Sequence, residues 1–193
     1  MSRRILLLAG SSRADSQSAK VAHYLAGRLQ ALGASAEVLD LGATPLPLWP
    51  AEQPCLAWQA MAERLRTAEA LVVISPEWQG MASPALKNLF VYAGRAELAH
   101  KPALLVGVSA GQGGAYPLSE LRASSYKNCR ICFIPEQLIV RQVEQVLNAA
   151  QAADEADERI RSRADWALQV LLHYAEALQG LAGKIEWRFA SGM

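Results

Sequence analysis

Short apolar runs and amphipathic segments alternate along most of the chain. Each run spans only four or five residues, which is too short for an ordinary helix, and several are bounded by Gly, Pro or Ser. Strands of this length are common in globular proteins. The pattern therefore predicts five strands, at residues 5–9, 36–39, 71–74, 104–108 and 131–134.

Between these runs, apolar residues recur at helical spacing. A first helix is indicated by Ala22, Leu25, Ala26, Leu29 and Leu32, and a second by Met61, Leu65 and Ala68. Ser83 can cap a third helix, Pro84 suits its first turn, and Leu86, Leu89, Phe90 and Ala93 continue its apolar face. A long final helix over about 154–182 is predicted by an apolar stripe from Ile160 to Leu178 and by charged residues on its other face.

Alternating strands and helices build parallel βαβ units, and strands that are apolar on both faces are typical of a sheet covered on both sides. The predicted fold class is therefore α/β, with a doubly wound, five-stranded parallel sheet and helices on both faces. Residues 42–54 contain four prolines and are predicted to form a loop. Nothing marks a domain boundary, so we expect residues 1–193 to form a single domain.

Composition narrows the classes of partner. The chain has 193 residues with 19 Lys and Arg against 18 Asp and Glu, which provides no basic surface for nucleic acid or an anionic membrane. The apolar start is shorter than the roughly 7 to 15 residues of a signal peptide's core, and no run is long enough to span a membrane. Three cysteines fit a reducing compartment, so we expect a cytoplasmic protein.

Three loops follow predicted strands at the sheet edge where doubly wound folds bind ligands. The first, "GSSRADSQS" at 10–18, combines a glycine, hydroxyl groups and Arg13 at the start of a helix, which suits an anion such as phosphate. It lacks the glycine pattern of dinucleotide-binding loops and the Gly-Lys-Ser/Thr of a P-loop. Capping of the helix by Ser16 or Ser18, with Arg13 in solvent, is the structural alternative.

The second loop, "SPEWQGMAS" at 75–83, offers backbone amides beside a flat aromatic ring, as a planar heteroaromatic ligand requires. Its structural alternative is a surface turn whose Trp78 packs into the core. The third loop, "SAGQGG" at 109–114, has three glycines that allow close approach of the backbone to a ligand.

Taken together, these loops and the "LKN" at 86–88 resemble the NADPH-dependent FMN reductase family, which has the flavodoxin-like fold and includes quinone, azo-dye and chromate reductases. The resemblance covers roughly residues 4–147. It implies that the FMN phosphate is held by Ser11, Arg13, Ser16, Gln17 and Ser18. It implies that the isoalloxazine ring is lined by Pro76, Glu77, Trp78, Gln79 and Gly80. On the pyrimidine side of the ring it places Ser109, Gly111 and Gly114.

The resemblance further implies an FMN-dependent NAD(P)H oxidoreductase with a ping-pong mechanism. NADPH or NADH would reduce the flavin, and a quinone, free flavin or azo compound would then take the electrons. No side chain is assigned as a general acid or base, because the cofactor supplies the chemistry. A homodimer or homotetramer is expected, with no nucleic acid or membrane partner. Ser18, Trp78 and Gln79 stand where the family commonly has Asn, Tyr and Asn, so side-chain contacts there can differ.

Two alternative functions remain at this point. Gly107, Ser109 and Gly111 match the G-x-S-x-G elbow of serine hydrolases, with His173 and a downstream aspartate, Asp154, Asp157 or Asp165, in the required order. An FMN-binding electron carrier without NAD(P)H activity is a second, although such carriers are typically acidic. Cys129 and Cys132 form a C-x-x-C pair; with no second pair nearby, we expect free thiols and no metal site. Arg95, Arg122 and Arg130 are candidates for contacting the 2′-phosphate of NADPH.

Overall fold

A five-stranded, entirely parallel sheet lies at the centre of the computed structural model, which describes residues 2–52 and 55–192. Its strands are β1 (Arg4–Ala9), β2 (Ser35–Asp40), β3 (Ala70–Pro76), β4 (Pro102–Val108) and β5 (Cys132–Val140). Their spatial order is β2-β1-β3-β4-β5. This is the doubly wound order in which the strand order reverses between β1 and β3, and it confirms the predicted flavodoxin-like fold class.

Helices cover both faces of this sheet. Their bounds are α1 (Gln17–Ala31), α2 (Leu56–Thr67), α3 (Pro84–Tyr92), α4 (Arg95–Leu98), α5 (Tyr116–Ser124), α6 (Glu155–Ala177) and α7 (Leu181–Lys184). Apolar side chains of α1 and α6 pack on one face of the sheet, and those of α2, α3 and α5 pack on the other. Within the ranges that the structure describes, no helix is long and apolar enough to cross a membrane.

The C-terminal helix is shorter than the expected 154–182. It ends at Ala177, and Gly180 then adopts a left-handed conformation with a φ of 71° before the short helix α7. Such a backbone conformation is easily accessible to glycine and stops an α-helix. The apolar stripe of α6 is buried as far as Ala175, so the packing that the sequence predicts is present up to the helix end.

Strand β5 is longer than the predicted 131–134 and continues to Val140. Its pairing with β4 is irregular: Ala103 faces Phe133, whereas Leu105 faces Gln137. The intervening segment contains Pro135, and proline is tolerated in a sheet at such irregularities. The predicted strand ended too early because Pro135 and two polar residues follow Ile134.

The proline-rich segment forms a loop over its described residues, as predicted, and Gln53 and Pro54 lie outside the described residues. Helix α3 holds this loop in place. The side-chain amide of Asn88 donates to the carbonyl of Pro47 at 2.9 Å and accepts from the backbone N–H of Trp49 at 2.9 Å. The Tyr92 hydroxyl donates to the same Pro47 carbonyl at 3.1 Å.

Candidate functional site

A cleft of about 410 Å³ lies beyond the carboxyl ends of the strands, beside the β1/β3 position at which the strand order reverses. Ligands of open α/β sheets bind at this position. The residues lining the cleft that sequence analysis had singled out are Ser11, Arg13, Ser16, Gln17, Ser18, Pro76, Glu77, Trp78 and Ser109. Segments far apart in the chain thus meet around one opening.

The first loop presents the N-terminus of α1 to this cleft. Ser16 is the N-cap, and its Oγ accepts from the backbone N–H of Ala19 at 3.1 Å. Capping satisfies only one of the N–H groups that a helix leaves free at its start, and the others carry the positive end of the helix dipole. Ser11 is buried, and its Oγ accepts from the N–H of Arg13 at 3.1 Å. The predicted capping alternative is therefore true of Ser16, and the helix end still faces the cleft.

Two side-chain oxygens on this wall lack partners. Ser18 Oγ and Gln17 Oε1 are both shielded from solvent, and neither has a hydrogen-bond partner among the described residues. Leaving a buried polar atom unpaired costs about 1–3 kcal/mol, so such atoms are rare in folded proteins. Ser18 can donate to a phosphate oxygen. The unpaired hydroxyl beside a helix N-terminus therefore fits a phosphate-bearing ligand.

Arg13 and Trp78 close one side of the cleft. The guanidinium carbon of Arg13 lies 5.1 Å from the centre of the Trp78 ring, within the range of a cation–π contact. Arg13 is exposed and Trp78 is half-buried. Trp78 is therefore not tucked into the core, as the structural alternative required, and its ring stands at the cleft beside a cation that can contact an anion.

The second loop ends in a tight turn between Trp78 and Met81. Their backbones exchange hydrogen bonds of 2.9 and 3.3 Å, and Gln79 and Gly80 have φ angles of 53° and 72°. Two consecutive positive φ angles are the signature of a type I′ turn. This turn directs Gln79 and Gly80 into solvent, and neither lines the cleft. The ring contacts expected of these two residues therefore have no support in this arrangement.

The third loop packs tightly against the sheet and the second loop. A Cβ on Gly107 would come within 2.0 Å of the Gly114 carbonyl oxygen, so only glycine fits there. The N–H of Gly114 donates to a carboxylate oxygen of Glu77 at 2.5 Å, and Gly114 itself has a φ of 100°. Ser109 borders the cleft, whereas Gly111 is exposed and Gly114 is buried behind it. Of the three residues predicted for the pyrimidine side, only Ser109 lines the opening.

The contact between Glu77 and Gly114 gives a prediction. In Glu77→Gln the acceptor becomes a neutral amide, which weakens the hydrogen bond that ties the second loop to the third by about 1 kcal/mol. We expect ligand affinity at the cleft to fall a few-fold, and more in Glu77→Ala, with the pH profile of turnover unmoved. Ligand titration and a pH–rate profile test this expectation. Loss of one limb of the profile would instead identify Glu77 as a proton-transfer group.

Sequence analysis missed one wall of the cleft. Val143 and Glu144, which follow β5, line it together with Ala14, Asp15, Val108 and Ala110. The Lys20 ammonium holds this segment by donating to the carbonyl of Val146 at 3.0 Å and to Asn148 Oδ1 at 2.7 Å. The pKa of Lys20 lies below its ordinary value, because burial lowers it more than nearby Asp157 and Glu144 raise it. Val143 and Glu144 were missed because β5 was predicted to end at residue 134, so the loop that follows Val140 was not considered.

Comparison with known proteins places this geometry in a family. The family model described as NADPH-dependent FMN reductase matches residues 3–145. The chain belongs to the NADPH-dependent FMN reductase family. An NADPH azoreductase of Bacillus sp. (strain OY1-2) is 30% identical over 145 residues, which cover 71% of this chain and 76% of the relative. A 2-hydroxy-1,4-benzoquinone reductase of Burkholderia sp. is 27% identical over 169 residues, covering 84% and 87%.

Solved structures agree on the fold. The flavoenzyme NAD(P)H:(acceptor) oxidoreductase FerB of Paracoccus denitrificans superposes with a TM-score of 0.73 at 20% identity, covering 91% of this chain and 98% of that one. At this identity the match supports the fold alone. The family model and the named relatives identify the chain as an FMN-dependent NAD(P)H oxidoreductase.

The hydrolase alternative has no triad geometry in this member of the NADPH-dependent FMN reductase family. His173 is exposed on α6. Ala175, two residues further along the helix, borders the same pocket as Pro102, where β4 begins. Ser109 follows the other end of β4, so His173 lies at the opposite end of the strands from Ser109. The three aspartates are engaged elsewhere: Asp154 caps α6, Asp157 pairs with Arg161, and Asp165 pairs with Arg28 at 2.7 Å. Ser109 Oγ accepts from the N–H of Gly111 at 3.2 Å instead of meeting a base.

The three arginines considered for the 2′-phosphate also lie away from the cleft. The Arg95 and Arg130 guanidiniums stack on Trp187, at 4.7 and 5.2 Å from the ring centre. Arg122 donates to the carbonyl of Ile134 at 2.9 Å. None of these residues borders the cleft. The C-x-x-C cysteines are free thiols, with Cys129 buried and Cys132 half-buried, and burial raises the pKa of Cys129.

Proposed function

We propose that the cleft binds FMN and that this protein uses it to transfer electrons from NADPH or NADH to a small-molecule acceptor. The observation that carries the proposal is the meeting of an anion-binding helix terminus and an aromatic ring in one cleft at the β1/β3 position. Family membership supplies the reaction class. The geometry supplies the residues that would hold the cofactor.

The phosphate of FMN would lie at the first loop. The free N–H groups of α1, the hydroxyls of Ser11 and Ser18, and the guanidinium of Arg13 together offer donors for its oxygens. Ser16 fixes the helix start as its cap, and Gln17 contributes its side chain to the same wall. This donor set is neutral apart from Arg13 and the helix dipole.

The isoalloxazine ring would lie between the second and third loops. Trp78 and Pro76 offer apolar surface there, while Ser109 and the backbone of both loops offer hydrogen-bonding groups for the polar edge of the ring. When bound, FMN accepts a hydride from a reduced nicotinamide and delivers electrons to the second substrate. The role of Glu77 is to hold the Gly114 amide, and we assign no general acid or base.

The acceptor class is proposed from the named relatives, an NADPH azoreductase and a 2-hydroxy-1,4-benzoquinone reductase. Quinones, azo compounds and free flavins are all flat electron acceptors that can stack in an open cleft. A ping-pong order suits such a site, because one position beside the ring can serve nicotinamide and acceptor in turn. The cleft thus favours a broad class of flat acceptors over one tightly enclosed substrate.

A homodimer or homotetramer in the cytoplasm is also proposed. Large apolar side chains are exposed on the second loop, α3 and α5, at Met81, Val91 and Tyr116. We propose that these side chains form part of one subunit interface, because contiguous exposed apolar patches mark protein–protein contacts. Three free thiols are consistent with a reducing compartment.

A spectroscopic experiment tests the proposed function. The purified protein is saturated with FMN, desalted and then mixed with NADPH, and separately with NADH, under nitrogen. We expect retained flavin whose visible absorption is bleached and then restored by a quinone. Retained flavin that stays oxidised with both nucleotides would instead identify an electron carrier, and failure to retain flavin at micromolar protein would contradict the assigned cleft.

A further inference from the structure

A second opening also borders the third loop, through Gln112. This basic groove, of about 300 Å³, is lined by Arg141, Arg159 and Arg163, with Gln112 and Gln142 between them. Gln112 follows Ser109 and Ala110 in the third loop, and Gln142 precedes Val143 and Glu144, all four of which line the cleft. The basic groove and the cleft are therefore separated only by these two short segments.

The charge of this groove is concentrated on three arginines, of which Arg163 is paired with a carboxylate outside the lining. No carboxylate lines it within the described part of the chain, although the protein as a whole has a net charge of only +1. Arg163 pairs with Glu136 at 2.7 Å and stacks on Trp166, which fixes its side chain. Arg159 reaches Glu155 only at 4.0 Å, and both of these side chains are largely exposed, so this ion pair is weak.

Arg141 is oriented by the backbone of the third loop. Its Nε donates to the carbonyl oxygens of Gln112 at 2.7 Å and Gly113 at 3.2 Å. Among the described residues, its two Nη atoms donate no hydrogen bond, since both of its hydrogen bonds come from Nε. A guanidinium held in this way presents its remaining donors as a fork, the geometry that binds a phosphate oxygen pair.

We infer that the basic groove binds the 2′-phosphate of NADPH and makes this protein prefer NADPH to NADH. The inference rests on the proposed function, since it takes the nicotinamide to lie over a flavin in the cleft. A dinucleotide bridging the two openings would cross the two short segments that separate them, at Gln112 and at Gln142. The 2′-phosphate is a dianion that NADH lacks, and Arg141 and Arg159, which face no lining carboxylate, carry two positive charges that match it.

The test compares two probes on the FMN-loaded protein by calorimetry: adenosine 2′,5′-bisphosphate and 5′-AMP, which differ by the 2′-phosphate. We expect the wild type to bind the bisphosphate more tightly. In Arg159→Gln this affinity should fall about ten-fold, and further in Arg159→Glu, because a charge-assisted hydrogen bond is lost. The affinity for 5′-AMP should fall much less. Arg159→Lys should recover part of the loss.

Arg188→Gln is the matched control, since Arg188 is an exposed arginine paired with Glu186 in the C-terminal tail. In turnover, the ratio of kcat/KM for NADPH to that for NADH should fall about ten-fold in Arg159→Gln and stay constant in the control. Equal affinity of the wild type for both probes, or an equal loss of both in Arg159→Gln, overturns the inference. Reduction of the flavin by NADH in the same samples would then still uphold the proposed function.

Discussion

Ser18→Ala is expected to stabilise the apoprotein and at the same time weaken FMN binding. The substitution removes a buried hydroxyl that has no hydrogen-bond partner among the described residues, a defect that costs about 1–3 kcal/mol. It also removes a donor to the phosphate, and a hydrogen bond to a charged group contributes about 1.5–3 kcal/mol. The FMN dissociation constant should therefore rise about ten- to hundred-fold while the melting temperature of the apoprotein rises.

The opposite changes in apoprotein stability and FMN affinity distinguish a role in binding phosphate from a role in packing alone. Ser119→Ala is the control, because Ser119 is an exposed serine in the first half of α5, and its replacement reports the gain of about 0.5 kcal/mol from helix propensity alone. Fluorescence quenching of FMN gives the affinity, and thermal unfolding of the apoprotein gives the stability. Unchanged FMN affinity in Ser18→Ala would contradict the assignment of the phosphate to the first loop.

The central strands were predictable because their burial leaves a direct trace in sequence. β1, β3 and β4 are covered on both faces, so each is a continuous apolar run that ends where the chain leaves the core. β5 carries polar residues and Pro135 in its middle, and only its irregular pairing with β4 shows that it continues. Local pattern cannot reveal a strand whose continuity depends on its neighbour.

The same limit applies to the cleft. Loops that directly follow recognisable strands were located correctly along the chain, since the carboxyl ends of parallel strands meet at one edge. Side-chain direction was not predictable: the turn from Trp78 to Met81 sends Gln79 outward because two positive φ angles reverse the chain there. Val143 and Glu144 were missed because their place depends on Lys20 and on contacts more than a hundred residues away in sequence.

The segment behind that wall depends on a buried ion pair. Asp157 is 1% exposed and accepts from the N–H groups of Leu147 at 2.9 Å and Ala153 at 3.1 Å, and from Arg161 at 3.0 and 3.1 Å. Arg161 in turn donates to the carbonyl of Ala149 at 2.8 Å. The backbone between β5 and α6 therefore makes hydrogen bonds to this ion pair where it forms no regular secondary structure.

Asp157→Ala is expected to lower the free energy of unfolding by about 3–5 kcal/mol at pH 7, because it leaves the Arg161 charge buried without its partner. Replacing both residues, as Asp157→Leu with Arg161→Met, should cost less than the single change. Urea denaturation of the three proteins measures both differences. A loss below about 1 kcal/mol for Asp157→Ala would show that the segment is held by other contacts.

The pH dependence of the same pair is fixed in sign. Burial raises the pKa of Asp157, but hydrogen bonds from Arg161 and from the N–H groups of Leu147 and Ala153 outweigh it and hold the pKa below the ordinary value of 3.8. As the pH falls, Asp157 is therefore protonated in the unfolded chain before it is protonated in the folded protein. The stabilisation is lost as the pH passes through the pKa of Asp157 in the folded protein. The stability gap between wild type and Asp157→Asn should be constant near neutral pH and shrink below about pH 4. A gap that persists unchanged into strong acid would mean that the carboxylate charge of Asp157 contributes nothing to holding the wall of the cleft.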